Sequence, residues 1–378
     1  MAYRVGLIGA GGAGRKRAAA VSSHRSSSLT AVYDLDPAAA GELAARTGAA
    51  AAGSWQEVVE DPANDIIIVA TTHDGLAKLS RSALEAGKHV LCEKPVGRDP
   101  REVRDVVEAA AACGRHLWAG YNHRFHPALA RAREAAVRGD LGEIDFIRAR
   151  YGHGGRPGYE KEWRGDPARA GGGELLDQGV HLVDLCLCLL GDFASVTGYT
   201  ETRFWEIEPL EDNAFGLFRS PSGQVASIHV SWTQWRNLFS FEVFGREGYA
   251  VVEGLGGSYG PEQVRLGRRR PGVVPDEEVI DFPGKDLSWA SEWADILDHL
   301  ETGRRGGAAV GEEALATIEW IYRLYAASRE GRVVGIGGLT VGRRRGDVFF
   351  FRCAPKFRTF VPRRPHALTP TSGSPNEI

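Results

Sequence analysis

Residues 3–14, Y-R-V-G-L-I-G-A-G-G-A-G, run from an apolar stretch straight into a cluster of glycines. The apolar half reads as a buried strand, and the glycines fall as G-x-G-x-x-G at Gly9, Gly11 and Gly14, with Gly12 and Ala13 between them. That spacing makes a tight turn after a strand, lets the backbone approach a pyrophosphate and points its charge at a helix N-terminus. Asp34 closes the next strand in A-V-Y-D-L-D, about 20 residues downstream, where a carboxylate can accept both ribose hydroxyls. The same carboxylate repels a 2′-phosphate, and no Arg directly follows it, so NAD is expected as cofactor in preference to NADP. Arg15, Lys16 and Arg17 either touch phosphate or face solvent along the first helix.

Outward from this loop, the first 120 residues alternate between two patterns. Apolar runs at Y-R-V-G-L-I, L-T-A-V-Y-D, D-I-I-I-V-A-T, H-V-L-C-E-K and H-L-W-A-G-Y are rich in Val, Ile and Leu, as buried parallel strands are. Ala-rich segments at 37–47, 74–86 and 101–113 read as crossover helices. The alternation predicts an α/β domain with a doubly wound parallel sheet, a Rossmann fold, over residues 1–122. A helix at 127–138, a strand at 143–152 and a Gly-rich loop at 152–173 follow. After them come a helix at 173–190 and period-two runs from 193 to 283. The sequence therefore predicts a second, α+β domain over 123–334, built on an open, mainly antiparallel sheet and closed by helices at 288–301 and 311–329. Residues 335–378 show no convincing period and read as a disordered basic tail.

Totals narrow the function. The chain has 378 residues, 43% hydrophobic and 25% charged, the profile of a soluble globular protein, and its length favours two domains. No stretch approaches the ~20 unbroken apolar residues of a membrane span. The sequence enters its first strand directly after Met1, which leaves no room for a signal peptide, and five scattered cysteines suggest reduced thiols. A cytoplasmic protein is expected. The basic tail carries eight Arg/Lys against two acids within a chain of net charge −3, which leaves residues 1–334 at −9. Nucleic acid is thus not an expected partner of the folded part.

Two further motifs carry chemistry. H-V-L-C-E-K-P-V ends a strand with Glu93, Lys94 and Pro95, and ligands of such sheets bind at the carboxyl ends of the strands. G-G-G-E-L-L-D-Q-G-V-H at 171–181 puts Asp177 and His181 four residues apart, one helical turn, on one face. A carboxylate beside an imidazole suits general acid–base chemistry or metal binding. Asp184 shares the helix, but no nearby His or Cys cluster completes a metal site, so none is expected.

These motifs, with G-Y-N-H-R-F-H-P-A-L at 120–129, give the chain its resemblance to a known family. In their order and spacing they resemble the glucose–fructose oxidoreductase/inositol dehydrogenase (Gfo/Idh/MocA) family of NAD(P)-dependent dehydrogenases, over roughly residues 3 to 334. The resemblance implies that Lys94, Asp177 and His181 converge on a substrate hydroxyl beside the nicotinamide. His181 would take the hydroxyl proton, Lys94 would bond the developing alkoxide, and Asp177 would orient the substrate or the imidazole. The glycine triplet would make room for sugar and nicotinamide. Thr71, Thr72 and His73 after the fourth strand, together with Glu93, Lys94 and Asn122, would line the cofactor; His73 could equally be a simple helix-start residue. The family's open sheet implies a homodimer or homotetramer. Regulators of the same fold, which sense NAD or sugar without catalysis, lose the Lys and His that are present here. NAD-dependent glycosidases in the family carry export signals.

Other positions bear on the substrate, expected to be a sugar, aminosugar or cyclitol. The loop G-H-G-G-R-P-G-Y-E-K-E-W-R-G-D-P leads into the catalytic helix and offers Arg156, Tyr159, Trp163 and Arg164. Trp205, Trp232 and Trp235 could stack on a sugar or face another subunit. Asp212 and Asn213 could bind hydroxyls or serve a turn. Arg124 is either structural or ligand-binding. Residues 151–215 hold twelve Asp/Glu against five Arg/Lys, and five of the acids surround Phe204 and Trp205. Such an acidic, aromatic rim would attract a cationic aminosugar, whereas Arg156 and Arg164 would suit a phosphate or carboxylate.

Overall fold

A computed structural model describes residues 2–336 of the chain. Strands β1 (Tyr3–Ile8), β2 (Ser27–Tyr33), β3 (Ala50–Ala51), β4 (Ile66–Val69), β5 (His89–Glu93) and β6 (Leu117–Gly120) pair in parallel. Between them run α1 (Gly12–Ser23), α2 (Pro37–Thr47), α3 (Trp55–Glu60), α4 (His73–Glu85) and α5 (Pro100–Cys113). The signals that start and stop these helices are local. Asp36 and Asp99 accept backbone N–H bonds at the starts of α2 and α5, with Pro at the first helical position of each. Gly48 and Gly114 end them in the left-handed conformation. Helices on both faces leave all four residues of β4 buried, so no alternation is required of its sequence. The order β6-β5-β4-β1-β2-β3 reverses between β1 and β4, and the crevice at that switch point is where such sheets take ligands. Gly9 follows β1, Thr71 lies just beyond β4 and Lys94 follows β5, all on this edge.

The chain then builds a second sheet. α6 (Pro127–Val137) precedes β7 (Ile144–Gly152), and a loop with two 3₁₀ turns and α7 (Pro167–Ala170) leads to a π-helical turn at Leu175–Gly179 and to α8 (Val180–Leu190). β8 (Ser195–Glu201), β9 (Asn213–Arg219), β10 (Val225–Ser231), β11 (Leu238–Gly245), β12 (Gly248–Glu253), β13 (Gln263–Arg268) and β14 (Glu277–Asp281) follow. The order is β14-β13-β12-β11-β7-β10-β9-β8, antiparallel except where β7 runs parallel to β10. α8 and α10 (Gly311–Glu330) cover one face. The other face exposes Tyr199, Phe215 and Leu217, and Tyr199 lies opposite Phe215 in register.

One segment departs from the expected division. α9 (Ser288–Thr302) buries Trp293, Ile296 and Leu297 in the same apolar cluster as Val5, Leu7 and Ile66, and packs on α1. β15 (Ala309–Val310) then adds an antiparallel edge to β6. Residues 288–310, grouped by sequence with the second domain, thus lie against the first sheet. β16 (Val334–Gly335) pairs with β8, so Gly335 belongs to the sheet, and Ile336 N–H bonds the Ala194 carbonyl; residues 337–378 of the expected tail lie outside the described residues. Among those residues, four cysteines are unbridged and no helix is long and apolar enough to cross a membrane.

Candidate active site

The glycine loop is built tightly on one side and openly on the other. Gly9 takes φ +105°, and a Cβ there would lie 2.3 Å from the Ala70 carbonyl oxygen; a Cβ at Gly14 would lie 1.9 Å from that of Gly9. Only glycine fits either position. Gly11 and Gly12 meet nothing within 4 Å, which leaves the backbone at the start of α1 open to an anion. The Asp34 carboxylate fastens this loop: its Oδ2 accepts from Ala10 N at 2.6 Å and its Oδ1 from Asp36 N at 2.9 Å. The open cradle, the helix N-terminus and an acid at the end of β2 fit a dinucleotide.

Arg17 neither touches phosphate nor faces solvent. It is 1% exposed, gives Nε to Glu93 at 2.6 Å, pairs with Glu292 and stacks on Trp289. Glu292, although paired, is pushed up to about 7 by burial against the pull of Arg17. The three residues tie α1, β5 and α9 together directly behind Lys94. Arg15 instead bonds the Ala10 carbonyl. Asn122 donates to Ser288 Oγ at 2.8 Å. Thr71 and Thr72 sit half-buried at the start of α4, where Thr72 donates to Asp74.

Asp177 is the hub of the site. Lys94 Nζ donates to its Oδ1 and to its backbone oxygen, both at 2.5 Å, and Arg164 Nε donates to Oδ2 at 2.7 Å. His73 Nε2 lies 3.9 Å from Oδ1, while its Nδ1 donates to the Ala170 carbonyl at 2.8 Å and its ring meets Trp163 edge-on. Burial works to raise the Asp177 carboxyl, but Arg164, Lys94 and His73 outweigh it and hold it well below the usual carboxylate range. Burial lowers His73 to about 4, assisted by the Lys94 charge. His73 is thus both the first residue of α4 and part of the site.

His181 is buried, and its imidazole is held well below its ordinary value by burial first and Lys94 next. It stacks on His123 at 3.7 Å between centroids, with Tyr121 edge-on at 5.9 Å. Its Nδ1 has no hydrogen-bond partner among the described residues. Asp177 and His181 therefore do not orient one another as the helical spacing suggested. The turn at 175–179 is π-helical and closes on i+5, so four residues fall short of a full turn. Asp177 swings to Lys94 and Arg164, and His181 to His123.

The glycine triplet also has a different role from the expected one. A Cβ at Gly171 would strike Arg98, one at Gly172 the Tyr325 hydroxyl, and one at Gly173 the Glu211 oxygen at 1.9 Å. These glycines admit protein neighbours. Glu211 accepts from Gly173 N at 3.1 Å, Leu175 N at 2.9 Å and Tyr325 OH at 2.7 Å, which pins the start of the site helix.

The loop candidates divide. Arg164 and Trp163 reach the site. Tyr159 is buried with Trp232, Ile207 and Leu210, and Trp205 donates to the Trp232 carbonyl at 3.1 Å. Arg156 stays exposed, paired with Glu162 at 2.6 Å. The acidic rim is reduced: Glu211 points inward, Asp212 accepts the backbone N–H groups of Arg203, Phe204 and Trp205, Glu201 pairs with Arg203, and Glu206 and Glu208 stay exposed. Arg124 is structural, held by Asp184 at 2.5 and 2.8 Å and by Glu313, so Asp184 is not free to bind a metal. Two further residues of the site, His123 within G-Y-N-H-R-F-H-P-A-L and Glu174 directly after the glycine triplet, carry no spacing signal of their own in the sequence.

A parallel sheet with a glycine-lined crevice and a lysine at its carboxyl edge, met there by an aspartate and a histidine from a second sheet domain, defines a dinucleotide-binding protein of the oxidoreductase type. The chain belongs to the GFO/IDH/MocA oxidoreductase family: residues 3–121 match its NAD-binding Rossmann fold and residues 129–251 its C-terminal domain. It is 30% identical over 253 residues to D-glucoside 3-dehydrogenase of Escherichia coli strain K12, a match covering 61% of this chain and 70% of that one. It is 35% identical over 202 residues to 1,5-anhydro-D-fructose reductase of Ensifer adhaerens, covering 52% and 60%. The chain spans between 56 and 63% of the length of the first curated relatives it matches. Among solved structures, that of GenD2 from gentamicin A biosynthesis in complex with NAD superposes with a TM-score of 0.76 at 25% identity, covering 89% of this chain and 96% of that one.

Proposed function

We propose that the protein is an NAD-dependent dehydrogenase acting on a secondary hydroxyl of a sugar, aminosugar or cyclitol, or reducing the corresponding ketone. The observation that carries this reading is the Lys94–Asp177 pair at the carboxyl end of β5, beside the buried His181, whose Nδ1 has no partner among the described residues, and with the open glycine loop on the same edge of the sheet. Relatives named for dehydrogenation or reduction of sugars support it.

Gly9, Gly11, Gly12, Ala13 and Gly14 hold the pyrophosphate, and Asp34 holds the ribose and disfavours NADP. Thr71, Thr72, His73, Glu93, Lys94 and Asn122 line the nicotinamide side. When bound, NAD supplies the two-electron acceptor or donor. His181, kept neutral by burial, takes the hydroxyl proton as the carbonyl forms. Lys94 has three N–H donors; two are spent on Asp177, and the third bonds the developing alkoxide. Asp177 fixes Lys94 and not the imidazole, and Arg164 and Trp163 close the loop over the substrate.

Assembly as a homodimer or tetramer through the exposed face of the second sheet, around Tyr199, Phe215 and Leu217, is part of this reading. So are a cytoplasmic location and a division into residues 1–122 and 123–334, with residues 288–310 of the second packed on the first. A panel of sugars, aminosugars and cyclitols screened for NAD⁺ reduction at 340 nm tests the function. Substrate-dependent NADH formation is expected; none across the panel, with NADH still bound, would overturn it.

A further inference from the structure

Glu174 opens the π-helical turn, one residue after the glycine triplet. Its side chain is wholly buried, and neither carboxyl oxygen has a hydrogen-bond partner among the described residues. A carboxyl so placed is among the costliest groups a fold can keep. Its neighbours are not left in this state: Asp177 holds Lys94 and Arg164, and Glu211 holds two backbone amides and Tyr325. Four residues on, within the π-helical turn, Gln178 donates its amide to Tyr259 OH at 2.9 Å, while its own Oε1 is buried and unpartnered.

With Glu174 ionised, the unmet demand around Glu174 and Gln178 is one-sided, since all three orphaned oxygens are then acceptors. A sugar hydroxyl offers one donor and brings lone pairs of its own, whereas an ammonium offers three donors and no acceptor. Charge points the same way. The charged groups acting on Glu174 are Asp177 and Glu211, which repel its ionised form, and Lys94 and Arg164, which are engaged with Asp177. Tyr151 and Tyr259 face it without supplying charge. With all these groups ionised the cluster holds three negative charges against two positive, and one added cation balances it. Without that cation, burial drives the Glu174 carboxyl well above its usual range.

We propose that Glu174, with Gln178 Oε1, is the receptor for a protonated amine on the substrate, so that the reacting hydroxyl belongs to an aminosugar or aminocyclitol. This rests on the dehydrogenase reading and on ground separate from the acidic rim, of which the fold leaves only Glu206 and Glu208 exposed.

The test compares kcat/KM for matched pairs: D-glucosamine and 3-amino-3-deoxy-D-glucose against D-glucose, and scyllo-inosamine against scyllo-inositol. An amine is expected to outpace its hydroxyl partner at least tenfold, the pair identifying whether sugar or cyclitol is the source. Glu174→Gln, nearly isosteric, is expected to reduce that amine/hydroxyl ratio at least tenfold, with folding checked by circular dichroism and NADH fluorescence. Glu174→Asp, which keeps the charge, should retain part of the preference and serves if the Gln variant does not fold. Equal or better turnover of the neutral partners, or a ratio unmoved by both variants, would overturn the proposal while leaving the dehydrogenase intact. Absence of turnover on every pair with NADH bound would overturn the dehydrogenase reading, and this proposal with it.

Discussion

Two glycine-rich stretches bracket the site, and they spend their glycines differently. In G-A-G-G-A-G at 9–14, Gly9 accommodates the backbone of Ala70 after β4 and Gly14 that of Gly9, whereas Gly11 and Gly12 face open space. In G-G-G at 171–173 every missing Cβ would meet protein: Arg98, Tyr325 and Glu211. The first stretch leaves room for a ligand, and the second lets three parts of the fold close on one another. Both read alike as places of close approach; what approaches is decided by residues far away in the chain.

The largest expected effect separates chemistry from cofactor binding. Lys94→Ala or His181→Ala should depress turnover by roughly 10²–10⁴, the usual worth of a proton-transfer group, while NADH fluorescence titration shows that the cofactor still binds. Near-normal turnover in both variants would detach the site helix from the reaction and leave the glycine loop as the one functional region of the two.

The glycines themselves can be exchanged to break the comparison. Gly12→Val fills open space at the helix N-terminus and should weaken NADH binding on the order of tenfold, the scale of one lost hydrogen bond to a charged group, with Tm little changed. Gly173→Ala drives a Cβ into the Glu211 oxygen and should destabilise the fold by about 1–3 kcal/mol, as overpacking does, lowering Tm by several degrees. Loss of NADH affinity in the second variant with Tm unchanged would show that the triplet faces ligand after all.

This pair of stretches also shows what was legible. Strand, glycine turn, helix start and Asp34 fall within about thirty residues, and their geometry is dictated locally, so the first domain and its loop could be read directly. The site helix could be located but not interpreted. Asp177 and Lys94 stand 83 positions apart and Glu211 and Leu175 36 apart, and no local pattern encodes such pairings. The π turn has no compositional signature, so ordinary helical spacing placed Asp177 above His181. α9 was legible as a helix, but its apolar face fits either sheet equally well on paper. The acidic run at 201–212 looked like a rim because burial of Glu211 and Asp212 depends on backbone amides that sequence does not show.

A smaller effect distinguishes the two loop arginines. Arg164→Ala removes the Oδ2 partner of a buried Asp177 and should lower kcat/KM roughly tenfold or more, as truncating one side of a buried charge pair does. Arg156→Ala breaks an exposed pair with Glu162, worth about 0–1 kcal/mol, and should change kcat/KM less than twofold. Reversal of that ranking would mean that the loop re-forms around the substrate with Arg156 inside.

The smallest expected effect is a flat pH profile, and it bears on whether the site helix is buried as described. On a solvated helix His181 would titrate near 6.5, and a base that must be neutral would lose half its activity there. Here burial and Lys94 hold it well below that value, so it remains neutral as pH falls through 6.5. Measured on a neutral sugar or cyclitol, so that only enzyme groups titrate, kcat/KM should change less than twofold between pH 8 and pH 6. Stability linkage has the matching sign. Above about 6.5 the imidazole is neutral in both folded and unfolded chains; below it the unfolded chain alone takes the proton, so His181 removes up to about 1.4 kcal/mol of stability per pH unit. Thermal unfolding of wild type and His181→Gln from pH 7 to pH 5 checks this, since the variant should lose stability less steeply. A half-maximal drop in kcat/KM near 6.5, with parallel stability slopes for the two proteins, would place His181 in water and return the site helix to the surface.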